Sequence, residues 1–108
     1  MTMIHPVPPY LSKIAEYAVK NMAKNGFEVS DCIYTSVKIN VYERQVIFRQ
    51  RITKKKEKHE IDCWEIFPLA KTILDDPFRQ YTKLKVVVYF KDGKVSRTDY
   101  SIYSDNEK

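Results

Sequence analysis

Hydrophobic positions along this chain change period three times, and each change marks a new element. From Tyr10 to Lys24, Leu11, Ile14, Ala15, Ala18 and Met22 recur at spacings of three, four, seven and eleven, which is one stripe of an α-helix. Asn25-Gly26 closes that stripe, because glycine readily takes the left-handed conformation a helix end needs. From Ile33 the period becomes two. Ile33, Thr35, Val37, Ile39 and Val41 point one way and Tyr34, Ser36, Lys38, Asn40 and Tyr42 the other, as in a half-buried strand.

Val46 to Ile52 returns as a hairpin partner if Tyr42 to Gln45 forms the turn. That register sets Val41 opposite Val46, Ile39 opposite Phe48, Val37 opposite Gln50 and Thr35 opposite Ile52. The inner face is then apolar with Gln50 as its one defect, and the outer face carries Tyr34, Lys38, Ile47, Arg49 and Arg51. A third strand, Glu60 to Trp64, is expected to place Ile61 opposite Ile52 and Cys63 opposite Gln50. Asp62 would then face Arg51, with Trp64 beside Arg49 on the outer face; a one-pair slip would bring Glu60 there instead.

Ile66 to Leu74 reads as a short second helix with Pro68 in its first turn, where a missing amide proton costs nothing, and Pro77 lies beyond its end. Lys83 to Tyr103 reads as a hairpin turning at Asp92-Gly93. A three-residue loop, Lys91 to Gly93, would align Leu84 with Tyr100, Val86 with Thr98 and Lys85 with Asp99. The expected class is therefore α+β, in the order α-β-β-β-α-β-β, with the N-terminal helix packed on an antiparallel sheet. The helix sequence "IAEYAVKNMAKNG", followed by strands, and the later "CWEIFP" resemble cystatins over about half of the chain, a family whose single helix is wrapped by an antiparallel sheet. The resemblance implies that architecture alone. Where a cystatin hairpin presents a Gln-x-Val-x-Gly loop to its protease, this chain has Tyr42-Glu-Arg-Gln45, so no inhibitor residue is carried over.

A length of 108 residues suits one domain with a core of its own, led by a proline-rich stretch over 1–9 and followed by a polar tail over 104–108. No apolar run reaches the roughly 18 residues of a membrane span, and Met1 to Pro9 lacks the features of a secretory signal, so the cytoplasm is the expected compartment and no membrane partner is expected. Cys32 and Cys63 make no disulfide framework. With His5 and His59 they also lack the paired spacing of a zinc site, and no cofactor is expected.

Charge changes the picture most. The net charge is +5, yet Arg44 to Lys58 holds seven basic residues against Glu57 alone, a local +6, so the rest of the chain sums to −1. A concentrated field of this kind steers a polyanionic partner. The expected function is thus a non-catalytic binding protein that contacts nucleic acid or another polyanion through a basic hairpin arm, residues 44–58. Lys54, Lys55, Lys56 and Lys58 would meet phosphates, and Lys38, Arg49, Arg51, Tyr34, Tyr42 and Trp64 would line the adjoining face. The alternative is a stand-alone inhibitor, of immunity or anti-defence type, docking the same patch on an acidic protein. A second copy or a partner could add a strand at the edge formed by Val95 to Tyr103, although the alternating Arg97, Asp99 and Ser101 guard that edge. Catalysis has little to build on: His59 lies in the charged loop, His5 in the lead-in, and Asp75-Asp76 reads as a helix end rather than a metal pair. Of enzymatic activities, a small ribonuclease is the one these residue types leave open.

Overall fold

The computed structural model describes residues 8–76 and 82–103. His5, most of the proline-rich lead-in, Pro77 and the polar tail lie outside the described residues. Helix α1 spans Tyr10–Lys24 and buries the stripe Leu11, Ile14, Ala15, Ala18 and Met22, with Tyr10 and Asn21 added to it. It ends as its sequence predicts. Gly26 stands at φ 85°, its amide donates to the Ala23 carbonyl (3.1 Å), and the Phe27 amide donates to that of Met22 (3.0 Å), which together satisfy the last carbonyls of the helix.

Strands β1 (Tyr34–Val41), β2 (Val46–Thr53), β3 (Lys58–Ile61), β4 (Lys83–Lys91) and β5 (Lys94–Tyr103) form one antiparallel sheet in the order β3-β2-β1-β4-β5. The β1–β2 register is the expected one, with Val37 opposite Gln50 and Lys38 opposite Arg49. A 3-10 turn, Trp64–Ile66, precedes helix α2, Leu69–Leu74, with Pro68 just before it. The second helix is therefore shorter than the expected Ile66 to Leu74.

Helix α1, this 3-10 turn and helix α2 pack on one face of the sheet. Leu11, Ile14, Ala18, Ile66 and Ile73 share a core with Val37, Ile39, Phe48, Leu84 and Val86, the inward residues of β1, β2 and β4. Burying side chains of this kind stabilises a fold by about 1.5–3 kcal/mol each. Gln50, the apparent defect in this face, is fully buried and fully used. Its Nε2 donates to the Ala18 carbonyl (2.8 Å) and to the Thr35 hydroxyl (3.1 Å), while Asn21 Nδ2 donates to its Oε1 (2.8 Å) and to the Asp62 carbonyl (2.6 Å). This polar cluster ties α1 to β1, to β2 and to the chain leaving β3.

Two registers differ from expectation. Strand β3 pairs Ile61 with Gln50, Glu60 with Arg51 and His59 with Ile52, a slip of two residues that keeps each residue on its expected face. The hairpin tightens to the four residues 54–57, with the Lys54 amide donating to the Glu57 carbonyl (2.8 Å). Lys54 and His59 both settle on the Phe27 ring, each 5.3 Å from its centre. Strand β3 then stops at Ile61, because Cys63 and Ile66 both turn into the core. Asp62 accordingly does not face Arg51, and Trp64 does not lie beside Arg49. In the last hairpin, Asp92 and Gly93 both have positive φ (55° and 76°), making a two-residue turn whose twist matches the flanking strands. A bulge beside Tyr89/Phe90 absorbs the odd residue, so Leu84 faces Ile102, Lys85 faces Ser101 and Val86 faces Tyr100.

Candidate functional site

With α1, α2 and the 3-10 turn all on one side, no helix among the described residues covers the opposite face of the sheet. Its composition follows from strand alternation. In β2, Phe48, Gln50 and Ile52 are buried and Arg49 and Arg51 exposed; in β1, Lys38 is exposed between buried Val37 and Ile39. Pairing then decides which side chains become neighbours. Lys38 is directly opposite Arg49 on one side and Lys85 on the other, so three cations form a row across β2, β1 and β4. Among the described residues the ion pairs are Lys24 with Glu65, His59 with Glu57, and Arg97 with Asp99, and none of them involves Lys38, Arg49, Arg51 or Lys85.

Nearer the basic hairpin the same face carries rings. Tyr34 and Tyr89, directly opposite each other, have centroids 5.6 Å apart at 50°, and both are half-buried. The Arg97 guanidinium lies 4.3 Å from the Tyr89 ring centre and 3.5 Å from Asp99. Between rings and cations lie Ser36 and Val87, short side chains shielded by longer neighbours, with Arg51 and Glu60 on one flank and Asp99 on the other.

The structure brings together Tyr34, Lys38, Arg49 and Arg51 on this face. Lys55, Lys56 and Lys58 are exposed at and beside the β2–β3 hairpin tip, whereas Lys54 is half-buried over Phe27. Tyr42 is exposed in the β1–β2 turn. Trp64 stands apart: it is 68 % exposed and lies against Phe67 (5.1 Å), which stacks on Phe48, so it belongs to the helix side of the sheet. Lys85, Tyr89 and Arg97 are not among the site residues that the sequence predicts, Arg97 being expected only as a guard of the β5 edge. Their outward alternation in β4 and β5 was legible, but nothing local indicated that β4 would lie beside β1.

Chemistry elsewhere is sparse. His59 is partnered by Glu57 (3.0 Å) and Phe27, and Asp76 accepts a hydrogen bond from the Tyr10 hydroxyl (3.0 Å). Burial pushes the Cys63 thiol up to about 11, with Asp62 adding to the effect, and burial raises Cys32 as well, so both are protonated and weakly nucleophilic at neutral pH. No group of three or more His, Cys, Asp and Glu suited to a metal occurs among the described residues. An apolar groove of about 360 Å³ runs between α1 and β5, lined in part by Ala15, Val19, Val95 and Tyr100, on the side away from the cationic row. Among the described residues, no helix is long and apolar enough to cross a membrane. No family model, curated protein or solved structure matches this chain.

Proposed function

We propose that this is a cytoplasmic, non-catalytic binding protein that holds a polyanion, nucleic acid above all, on the open sheet face and the adjoining basic hairpin. The observation that carries this is the row Arg49, Lys38, Lys85. Like charges directly opposite one another destabilise a sheet, by a few tenths to about 1 kcal/mol per pair, and here two such pairs share one lysine with no ion pair among the described residues to relieve them. A phosphate-bearing ligand converts that cost into affinity, and the exposed Lys55, Lys56 and Lys58 extend the field beyond the sheet. The test is fluorescence anisotropy with labelled RNA and DNA at low salt. The native protein is compared with a Lys38→Gln/Lys85→Gln variant and with a Lys54→Glu/Lys55→Glu/Lys56→Glu variant. Both variants are expected to bind more weakly; undiminished binding by both, or none by the native protein, refutes the proposal.

A protein partner is the second reading, and Trp64 favours it. Trp64 and Phe67 form an exposed aromatic pair beside the Lys24–Glu65 ion pair, an apolar centre with a charged rim of the kind that protein interfaces use. In that case Trp64→Ala abolishes capture of a protein partner and leaves anisotropy with nucleic acids unchanged. A homodimer through β5, whose ten residues form a sheet edge, belongs to the same reading and is checked by sedimentation.

A further inference from the structure

Resting on the polyanion proposal above, we infer that the ligand of the open face is a short single-stranded nucleic acid, with a base stacked at the Tyr34–Tyr89 pair and phosphates on the row Arg49, Lys38, Lys85. Charge alone does not distinguish a single strand from a duplex, because both present phosphates. Rings do. In a duplex the base faces are hidden within the stack, whereas an unpaired base offers its face to any aromatic side chain. The open side of this sheet carries both kinds of group in separate places.

Tyr34 and Tyr89 are paired across β1 and β4, and the Arg97 guanidinium of β5 packs over the Tyr89 ring, adding a planar cation to the ledge. Four residues further along β1, about 13 Å at strand rise, lies the cationic row. The interval is room for a short run of extended nucleotides. Between ledge and row lie Ser36 and Val87, directly opposite each other, whose short side chains are buried beneath longer neighbours. The carboxylates on the face, Glu60 of β3 and Asp99 of β5, stand on the outermost strands, where they repel phosphate from the rims and favour a path along β1 and β4. Lys58 and the exposed tip lysines continue the positive field past the ring end, since Thr53 pairs with both Tyr34 and Lys58.

The test compares four labelled ligands, single-stranded RNA, single-stranded DNA and the duplex of each, on the folded native protein and on Tyr34→Leu, Tyr89→Leu and Tyr34→Phe variants. Single strands are expected to bind at least tenfold more tightly than duplexes. Each leucine variant is expected to lose about five- to a hundredfold in single-strand affinity with duplex affinity unchanged, while phenylalanine, which keeps the ring, retains it. Equal affinity for duplex and single strand, or leucine variants that bind single strands as the native protein does, overturns this inference and leaves the polyanion proposal standing. Absence of binding to all four ligands overturns both. Should the leucine variants fail to fold, photocrosslinking of the native protein to an iodouridine-containing single strand decides: adducts at Tyr34 or Tyr89 support the inference, and adducts confined to other residues refute it.

Discussion

Replacing Lys38 by glutamine should make the free protein more stable, although it removes a residue from the candidate site. Lys38 lies opposite Arg49 and Lys85 at once, and none of the three has an ion pair among the described residues. Taking the charged heads as about 7 Å apart in a water-like dielectric, each repulsion amounts to about 0.6 kcal/mol, or about 1 kcal/mol for the two. That lies within the range for facing like charges in a sheet. At low ionic strength, Lys38→Gln should therefore raise stability by about 1 kcal/mol, or roughly 4–8 °C in melting temperature for a domain of this size. In 1 M salt the Debye length shrinks to about 3 Å and the gain should nearly vanish. Thermal melts by circular dichroism at both salt concentrations measure this directly. A double-mutant cycle with Lys85→Gln should show non-additivity of about 0.5 kcal/mol, because one shared repulsion can be removed only once. Adding a bound polyanion should reverse the sign, favouring the native protein. Destabilisation by Lys38→Gln at low salt, or a gain of equal size at both salts, would refute the reasoning, because the row would then carry no repulsion for a ligand to relieve.

Three further outcomes follow from the core and the thiols. Gln50→Leu should cost only about 1–3 kcal/mol by urea denaturation, because Asn21 keeps its bond to the Asp62 carbonyl and Thr35 its bond to the Arg51 carbonyl; Gln50→Ala, which adds a cavity, should cost about 3–5 kcal/mol. Thr53→Val should be neutral or stabilising by up to about 1 kcal/mol in the same assay, because the buried Thr53 hydroxyl has no hydrogen-bond partner among the described residues. Stability should fall as pH rises from about 9 to 11. The folded Cys63 thiol stays protonated up to about 11 whereas the unfolded one ionises near 9, so its contribution is complete below 9 and lost by 11, and Cys63→Ala should remove that part of the slope in a pH series of melts.

Much of this architecture was legible because local signals agreed with one another. The helix stripe ended where Asn25-Gly26 ended it, and the β1–β2 register made sense on both faces at once, which pinned it. Where the sequence offered two compatible registers, the choice fell to contacts between distant residues. Strand β3 could slip by two without changing faces, and the outcome depended on Phe27 gathering Lys54 and His59, and on Asn21 holding the Asp62 carbonyl. The alternation that placed Trp64 on the outer face ran past the point where the chain leaves the sheet, and Cys63 and Ile66, three apart and both buried, are the trace of that departure in the sequence. Two of the three cations in the row, Lys38 and Arg49, were visible as facing residues of the β1–β2 hairpin. The third was not, because Lys85 reaches Lys38 only when the chain crosses from β3 over to the far side of β1, a placement that no run of residues encodes.

The central claim, that this sheet face takes up phosphates, is tested most directly by the slope of log Kd against log salt for a single-stranded oligonucleotide. With about four to six phosphates engaged by the face and the hairpin, the native slope of log affinity should be about −3 to −4. The Lys38→Gln/Lys85→Gln variant should be shallower by about 1.4, the share of two lost contacts. A native affinity that does not change with salt, or the same slope in native and variant proteins, would contradict it.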